Sequence, residues 1–485
     1  MTGLASFREA ARVSPGGLPG AGRWPWTRGA RDDRAAFWIF ALCMPMLIWP
    51  ALWNGYPIVF ADTGTYLSQA MHRYLGWDRP GFYSVFIFTQ HLRTTTWPVV
   101  LTQACLAIFI LDLTRRALGA PRAWLAAVCG FLAVATWFPW TVSELMPDLF
   151  TPLLVLLLSI LLFAPSGFRV WERRAMTALA GFAIAAQSSS LPLAAMLIAI
   201  FPAIGWRFRA VPPLAPAMTP ILAPVLGPVL AFGLAAGALM SANLAAHGRA
   251  SVSPFGNVYL LARVIYDGPG MAVLRRDCPG RGWRLCPWLD RFPPTSDDFL
   301  WNADSPIVLA GGHKAVSADA DSILLAAALT EPGRLARAFL GNALEQLTRF
   351  ESGDGLEPWG TQVAPLIEKE FPGWERAMFR AARQQNSALT VPAPLAALHR
   401  AAAVAGIVAA ALLLPLAWRR RHPAAGFLAM ALLTLPIGAA VTGGLSTPHD
   451  RYQSRIVWLP ACVALLSVPA LRRHRGPKGE AADAP

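Results

Sequence analysis

Residues 36–54 read Ala-Phe-Trp-Ile-Phe-Ala-Leu-Cys-Met-Pro-Met-Leu-Ile-Trp-Pro-Ala-Leu-Trp-Asn, nineteen positions without a charge. A helix rises 1.5 Å per residue, so roughly 20 apolar residues cross the hydrocarbon of a bilayer. This stretch is close to that length and apolar all the way round, the pattern of a helix in lipid. Working outward, comparable runs cover 98-113, 123-140, 149-164, 175-188, 191-205, 217-241, 398-417, 424-441 and 456-471. The expected fold is therefore an all-α polytopic membrane protein of about ten transmembrane helices. The fifth and sixth runs are short and share the break Gln187-Ser188-Ser189-Ser190-Leu191-Pro192, which makes them a tilted hairpin or a re-entrant pair.

The arginines orient these runs, because cytoplasmic loops carry the positive charge. Placing Arg23, Arg28, Arg31 and Arg34 inside also puts inside Arg115/Arg116/Arg122, Arg169/Arg173/Arg174, Arg207/Arg209, Arg419/Arg420/Arg421 and Arg472/Arg473/Arg475. The expected layout is a cytoplasmic tail over 1-35 and seven spans over 36-244, with a first extracytoplasmic loop at 55-98. An α-rich extracytoplasmic domain over 245-395 is inserted before the last three spans (396-471), and a cytoplasmic tail fills 472-485. The N-terminal tail has no apolar core of its own, so the first span is expected to supply targeting.

Composition agrees. Hydrophobic residues make up 55% of the 485 positions and charged residues 14%, with a mean hydropathy of +0.43, which excludes an ordinary soluble chain. The excess of 42 Lys+Arg over 28 Asp+Glu sits at the ends of apolar runs and not along one face, so it reads as topology signal and not as a nucleic-acid surface. Lys314, Lys369 and Lys478 are the only lysines. That bias, with abundant Ala, Gly and Pro, points to a GC-rich bacterial genome, and with the apolar runs the expected location is the bacterial inner membrane. Of six cysteines, Cys43, Cys105, Cys129 and Cys462 fall in spans, while Cys278 and Cys286 lie close together in the 245-395 domain, where an oxidising compartment permits a disulfide.

Charge facing lipid is costly, so ionisable groups should gather in a cavity or at an interface. Three clusters lie at span ends on the extracytoplasmic side. The first runs from Phe60-Ala61-Asp62-Thr63-Gly64-Thr65-Tyr66 to Trp77-Asp78-Arg79-Pro80-Gly81. The second is Trp140-Thr141-Val142-Ser143-Glu144-Leu145-Met146-Pro147-Asp148, and the third is Ser446-Thr447-Pro448-His449-Asp450-Arg451-Tyr452-Gln453-Ser454-Arg455. Each has a plainer reading as well as a catalytic one. Asp62 and Asp148 are placed to cap helices, and Asp450 to pair with Arg451 or Arg455 at the surface. Glu144 has no such reading, and two arginines on the side where they are disfavoured suit an anionic ligand such as a lipid phosphate.

In order and sidedness these clusters resemble the GT-C superfamily of integral-membrane glycosyltransferases, in particular the protein-mannosyltransferase and aminoarabinose-transferase-like branch. Asp62 and Tyr66 with Asp78-Arg79-Pro80 look like that family's acidic first-loop motif and its basic-Pro element. Glu144 with Pro147-Asp148 looks like its Pro-Asp opening of a later span, and Arg451-Tyr452 like its Arg-Tyr element before the last helix. The chain departs from the pattern at Asp62-Thr63, where the family often has adjacent acids, and at Pro80-Gly81, where Pro-Pro is usual. The resemblance implies transfer of a sugar from a polyprenyl-phosphate donor to a lipid, glycan or protein acceptor at the membrane surface. Asp62 would be the base, with Asp148, Glu144 or Asp78 as second carboxylate. Arg451, Arg455, His449 and Arg79 would hold the phosphate, and Tyr66 and Tyr452 would orient the sugar or the donor.

No Walker loop or dinucleotide fingerprint is present, and no cofactor is assigned, although paired carboxylates are compatible with a divalent metal. Trp283, Trp288, Trp301 and Trp359 are either core or sugar-stacking faces. Two other classes stay open at this point. A transporter would use the Gln187–Pro192 break as a midplane site, and a non-catalytic membrane scaffold would use the same helical shell to hold a partner.

Overall fold

The computed structural model describes residues 30–205, 219–278 and 280–473. Most of the expected cytoplasmic tails, with Arg23, Arg28 and Arg475, and the loop arginines Arg207 and Arg209 lie outside the described residues. What is described is helical, with a single isolated bridge between Ile58 and Glu144.

Helix α1 (Ala30–Asn54) carries the opening apolar run. After it come α2 (Ala61–His72) and α3 (Gly81–His91) in the first loop, then α4 (Trp97–Leu118), α5 (Trp124–Ala135) and the short α6 (Phe138–Ser143). Next are α7 (Phe150–Phe163), α8 (Val170–Ala186), α9 (Ser190–Gly205) and α10 (Thr219–His247). Among the described residues, six stretches are long and apolar enough to cross a membrane: Arg34–Asn54, Trp97–Leu118, Pro224–His247, Ala393–Arg419, Ala424–Gly444 and Asp450–Arg473. The molecule is thus an α-helical membrane protein with six candidate spans. The remaining expected runs form shorter helices. The 123-140 run breaks at the extended Thr136 before α6 begins, and α8 and α9 are separated at Gln187–Ser189, where the sequence placed a break.

Every residue of α7 is buried. It is apolar on all sides, as a helix at the centre of a bundle must be, and α4, α8, α9 and α10 pack around it. The arginine clusters gather at the helix ends away from the Gly55 loop. There Arg116 of α4 pairs with Glu172 of α8 at 2.9 Å, and Arg420 donates to the Leu471 carbonyl.

The 245-395 segment divides by the company its apolar side chains keep. Residues 255–327, including α11 (Gly256–Tyr266) and α12 (His313–Thr330), enclose their own core of Val258, Leu261, Ile265, Phe299, Ile307 and Ile323. Val363, Ile367, Phe371 and Phe379 join the bundle core instead. Between them lies α13 (Pro332–Thr348), and α14 (Ala393–Arg419), α15 (Ala424–Ala439) and α16 (Leu459–Arg473) follow. Cys278 and Cys286 are joined as a disulfide, with Cα atoms 5.5 Å apart.

Candidate functional site

The site is assembled on backbone pairing between two loops. Leaving α1, the chain runs extended, so that the Ile58 N–H donates to the Ser143 carbonyl (2.9 Å) and the Leu145 N–H to the Ile58 carbonyl (2.8 Å). The Thr63 hydroxyl accepts from the Phe60 N–H at 2.9 Å and donates to the Leu145 carbonyl at 3.1 Å. These bonds set the first two sequence clusters side by side.

Asp62 falls in the first turn of α2, not at its cap. The helix starts two residues earlier than the capping reading requires, with Phe60 at the N-cap position and Thr63 closing the turn. The Asp62 carboxylate turns instead to Arg79, which donates to Oδ1 at 2.8 Å. Asp148 does not cap its helix either. It is 1% exposed and receives Arg451 at 3.0 Å on one oxygen and Arg455 on the other. The expected surface pair of Asp450 with Arg451 or Arg455 is likewise replaced. Asp450 accepts the Glu351 N–H at 2.8 Å and faces Arg349 at 3.6 Å, because both arginines are drawn inward to Asp148. A buried carboxylate needs such partners, since taking an unpaired charge out of water is prohibitive.

The two ion-pair groups are neighbours. The charges of Asp62, Arg79, Asp148 and Arg451 all act on the hydroxyl of the fully buried Tyr66, whose titration burial pushes up, so it stays a neutral phenol. Tyr452 feels the charges of Arg451, Arg79, Arg455 and Asp62. Glu144 feels Arg451, Asp148, Asp354 and Asp62; burial first, and then Asp148, push its carboxyl up to about 8 against the pull of Arg451. Asp78 is also pushed up by burial, opposed by Arg79. His449 stands further out, its ring 3.6 Å from Asp297. The three clusters therefore converge, with His449 at the rim.

Aromatic faces flank the charges. The Arg451 guanidinium lies 3.8 Å over the Phe60 ring, Arg455 is 5.4 Å from the Tyr452 ring, and Arg79 is 5.6 Å from that of Trp301. Trp301 is half-exposed and stacks at 5.8 Å on Trp77, which stacks in turn on His313 at 3.9 Å. Trp359 packs against Phe60 at 4.9 Å, and Trp283 is buried in the 255–327 core.

Sequence reading missed the side chains that hold these loops. Gln103 of α4 donates to the carbonyls of Val142 and Glu144, both at 2.8 Å, and accepts from the Tyr83 hydroxyl. Gln384 brackets Val59, accepting its N–H at 3.0 Å and donating to its carbonyl at 2.7 Å. Gln346 does the same to His449 at 2.9 and 2.8 Å. All three are fully buried. A primary amide suits the task, having a donor and an acceptor at the spacing a peptide offers. The available signal was Gln103 itself, an uncharged polar group inside an apolar run.

An open groove of about 630 Å³ lies beside the site, lined by Leu75, Phe82, Val85, Phe88 and Ala246 among others. It shares Leu75, Gly81 and Phe82 with a tighter cleft that Asp78 and Arg79 line. Among the described residues, no group of three or more His, Cys, Asp or Glu side chains is placed to hold a metal ion. No protein family, no characterised protein and no solved structure matches this chain, so its function is argued from the site.

Proposed function

We propose that this chain is a multi-pass bacterial inner-membrane glycosyltransferase of the GT-C kind. In this reading it has about ten spans, both termini in the cytoplasm and the 245-395 domain outside. It moves a sugar from a polyprenyl-phosphate donor to a lipid, glycan or protein acceptor. The observation that carries the reading is the pair of buried arginines: Arg451 and Arg455 share one carboxylate, Arg455 also donates to the Ser189 hydroxyl, and their Nε–H groups lack partners among the described residues. Unused guanidinium donors in a dry site are an incomplete anion site, and a phosphate completes it. The apolar groove at the Asp78–Arg79 cleft supports a lipid-borne phosphate over a free one.

In the reaction, the acceptor hydroxyl attacks the anomeric carbon as the bond from that carbon to phosphate oxygen breaks. The proton passes to a carboxylate, and the bonding pair leaves with polyprenyl phosphate. Asp62 is the proposed base, because Arg79 occupies its Oδ1 and leaves the other oxygen to take a proton. Arg451 and Arg455 stabilise the charge that grows on phosphate. The half-exposed Trp301 ring offers a face for a sugar.

The test is transfer from a panel of polyprenyl-phosphate sugars in native lipid, with wild type beside Asp62→Asn and Arg451→Gln, each first shown to be folded. Loss of a base lowers turnover by at least the 10²-fold general catalysis supplies, with donor binding retained in Asp62→Asn and weakened in Arg451→Gln. Donor binding without turnover in the wild type would favour a non-catalytic scaffold, in which the Asp148–Arg451–Arg455 network is a staple.

A further inference from the structure

We infer that α13, with the C-terminal half of α12, lies in the plane of the bilayer. Its occupant is the lipid of the leaflet at the Gly55-loop end of the bundle. The inference does not rest on the glycosyltransferase reading.

The argument begins with where α13 is fixed. It crosses the outer end of the α15 span, over the π-helical turn Ala440–Gly444, and the approach is backbone-close. A Cβ on Gly443 would sit 2.7 Å from the Asn342 carbonyl oxygen, and one on Gly444 would enter the Phe339 ring. The helix therefore sits at the level where a membrane span ends, and it is held there on one side only. Its other side presents Leu340 (58% exposed) and Leu344 (64%), one turn apart. The preceding α12 adds Leu325 (60%) and Leu329 (73%), and Leu445, just past the span, is 43% exposed. This surface is continuous with the span it rests on, and large leucines this bare in water are an anomaly that lipid removes.

The exposed face of α12 changes character along its length. Lys314, Ala318, Asp321 and Ser322 give way to Leu325, Ala328 and Leu329, as expected of a helix that passes from water into the interface. At the other end of the hairpin, Arg334 and Arg337 are exposed in the first turns of α13, the basic flank that interfacial helices direct to headgroup phosphates.

The site feels this placement through Gln346. On the protein side of α13, its side chain brackets the His449 peptide at 2.9 and 2.8 Å, two residues before Arg451. Lipid under the leucines thus sets the height of the loop that supplies the site's arginines.

The experiment uses the full chain, one copy per nanodisc, with Cys105→Ala removing the one free cysteine that is not fully buried. Single cysteines replacing Leu329, Leu344 or Ala318 carry an environment-sensitive fluorophore, read with a headgroup-proximal doxyl lipid and with aqueous iodide as quenchers. Probes at 329 and 344 are expected to be quenched by the lipid and spared by iodide, and the probe at 318 the reverse. Iodide quenching at 329 and 344 would overturn the inference in favour of a water-facing hairpin. Protection from both quenchers would overturn it in favour of a protein cover.

Discussion

Four carboxylates share the candidate site, and among the described residues neither Asp78 nor Glu144 has an ion-pair partner. Asp62 has Arg79, and Asp148 has two arginines. Burial then decides the state of Glu144: with the carboxyl pushed up to about 8, it holds its proton at neutral pH and presents a neutral donor amid charges. The sign of the linkage follows. A carboxyl raised in the fold stabilises it fully below the unfolded value near 4.5, and that stability drains as pH rises, ending above about 8. One proton contributes a slope of about 1.4 kcal/mol per pH unit. Wild type should thus lose apparent thermal stability from pH 5 to 8 more steeply than Glu144→Gln, with the curves parallel above 9. Parallel curves across the whole range would remove Glu144 from this role. At this scale the sequence was informative about which charged residues come together and misleading about what they touch. Asp62, Asp148 and Arg451 stood out because charge at a span end needs a reason. Their partners did not, because the capping readings considered only local neighbours while Asp148 and Arg451 meet across 303 positions.

At the scale of elements, the loops are fixed by buried amides. Gln384 illustrates why sequence could not show it: Arg383-Gln384-Gln385-Asn386 reads as a polar turn, yet Gln384 is fully buried and reaches Val59 across 325 positions. Leucine fills much the same volume but strands the Val59 N–H and carbonyl, and each buried unsatisfied group costs about 1–3 kcal/mol. Gln384→Leu should therefore unfold at distinctly lower denaturant or temperature, and Gln385→Leu, its neighbour in the same short turn, much less. Equal midpoints for the two variants would show that Val59 finds other partners. Close packing reinforces the amides at Gly64, where a Cβ would collide with the Gln362 carbonyl oxygen. The apolar runs, by contrast, were legible because hydrocarbon imposes its length and polarity on any helix it contains. Their count was less so, since α7, buried on every side at fourteen residues, has the composition of a span without the length.

At the scale of the whole molecule, the question is what ties the 255–327 core to the bundle, and Trp77 supplies one tie beside contacts such as Ser296–Thr447 and His449–Asp297. It leaves the first loop and packs into that core, against His313 at 3.9 Å, Trp301 at 5.8 Å and Tyr259 at 6.1 Å. Burial holds His313 down to about 4, so the ring it stacks on stays neutral through the physiological range and the joint does not titrate. Two residues further on, Arg79 reaches back to Asp62, so the same short stretch that docks the domain also completes the site. Removing the indole from a packed setting costs about 3–5 kcal/mol. Because both bodies keep their own cores, the loss falls on their joint and not on either fold. Trp77→Ala should accordingly speed hydrogen exchange in residues 69–82 and along α11 and α12 while α4 and α7 keep their protection. It should also weaken any process that depends on Arg79. Faster exchange spread evenly over the chain would mean that domain and bundle unfold as one body, and Trp77 would then be an ordinary core residue.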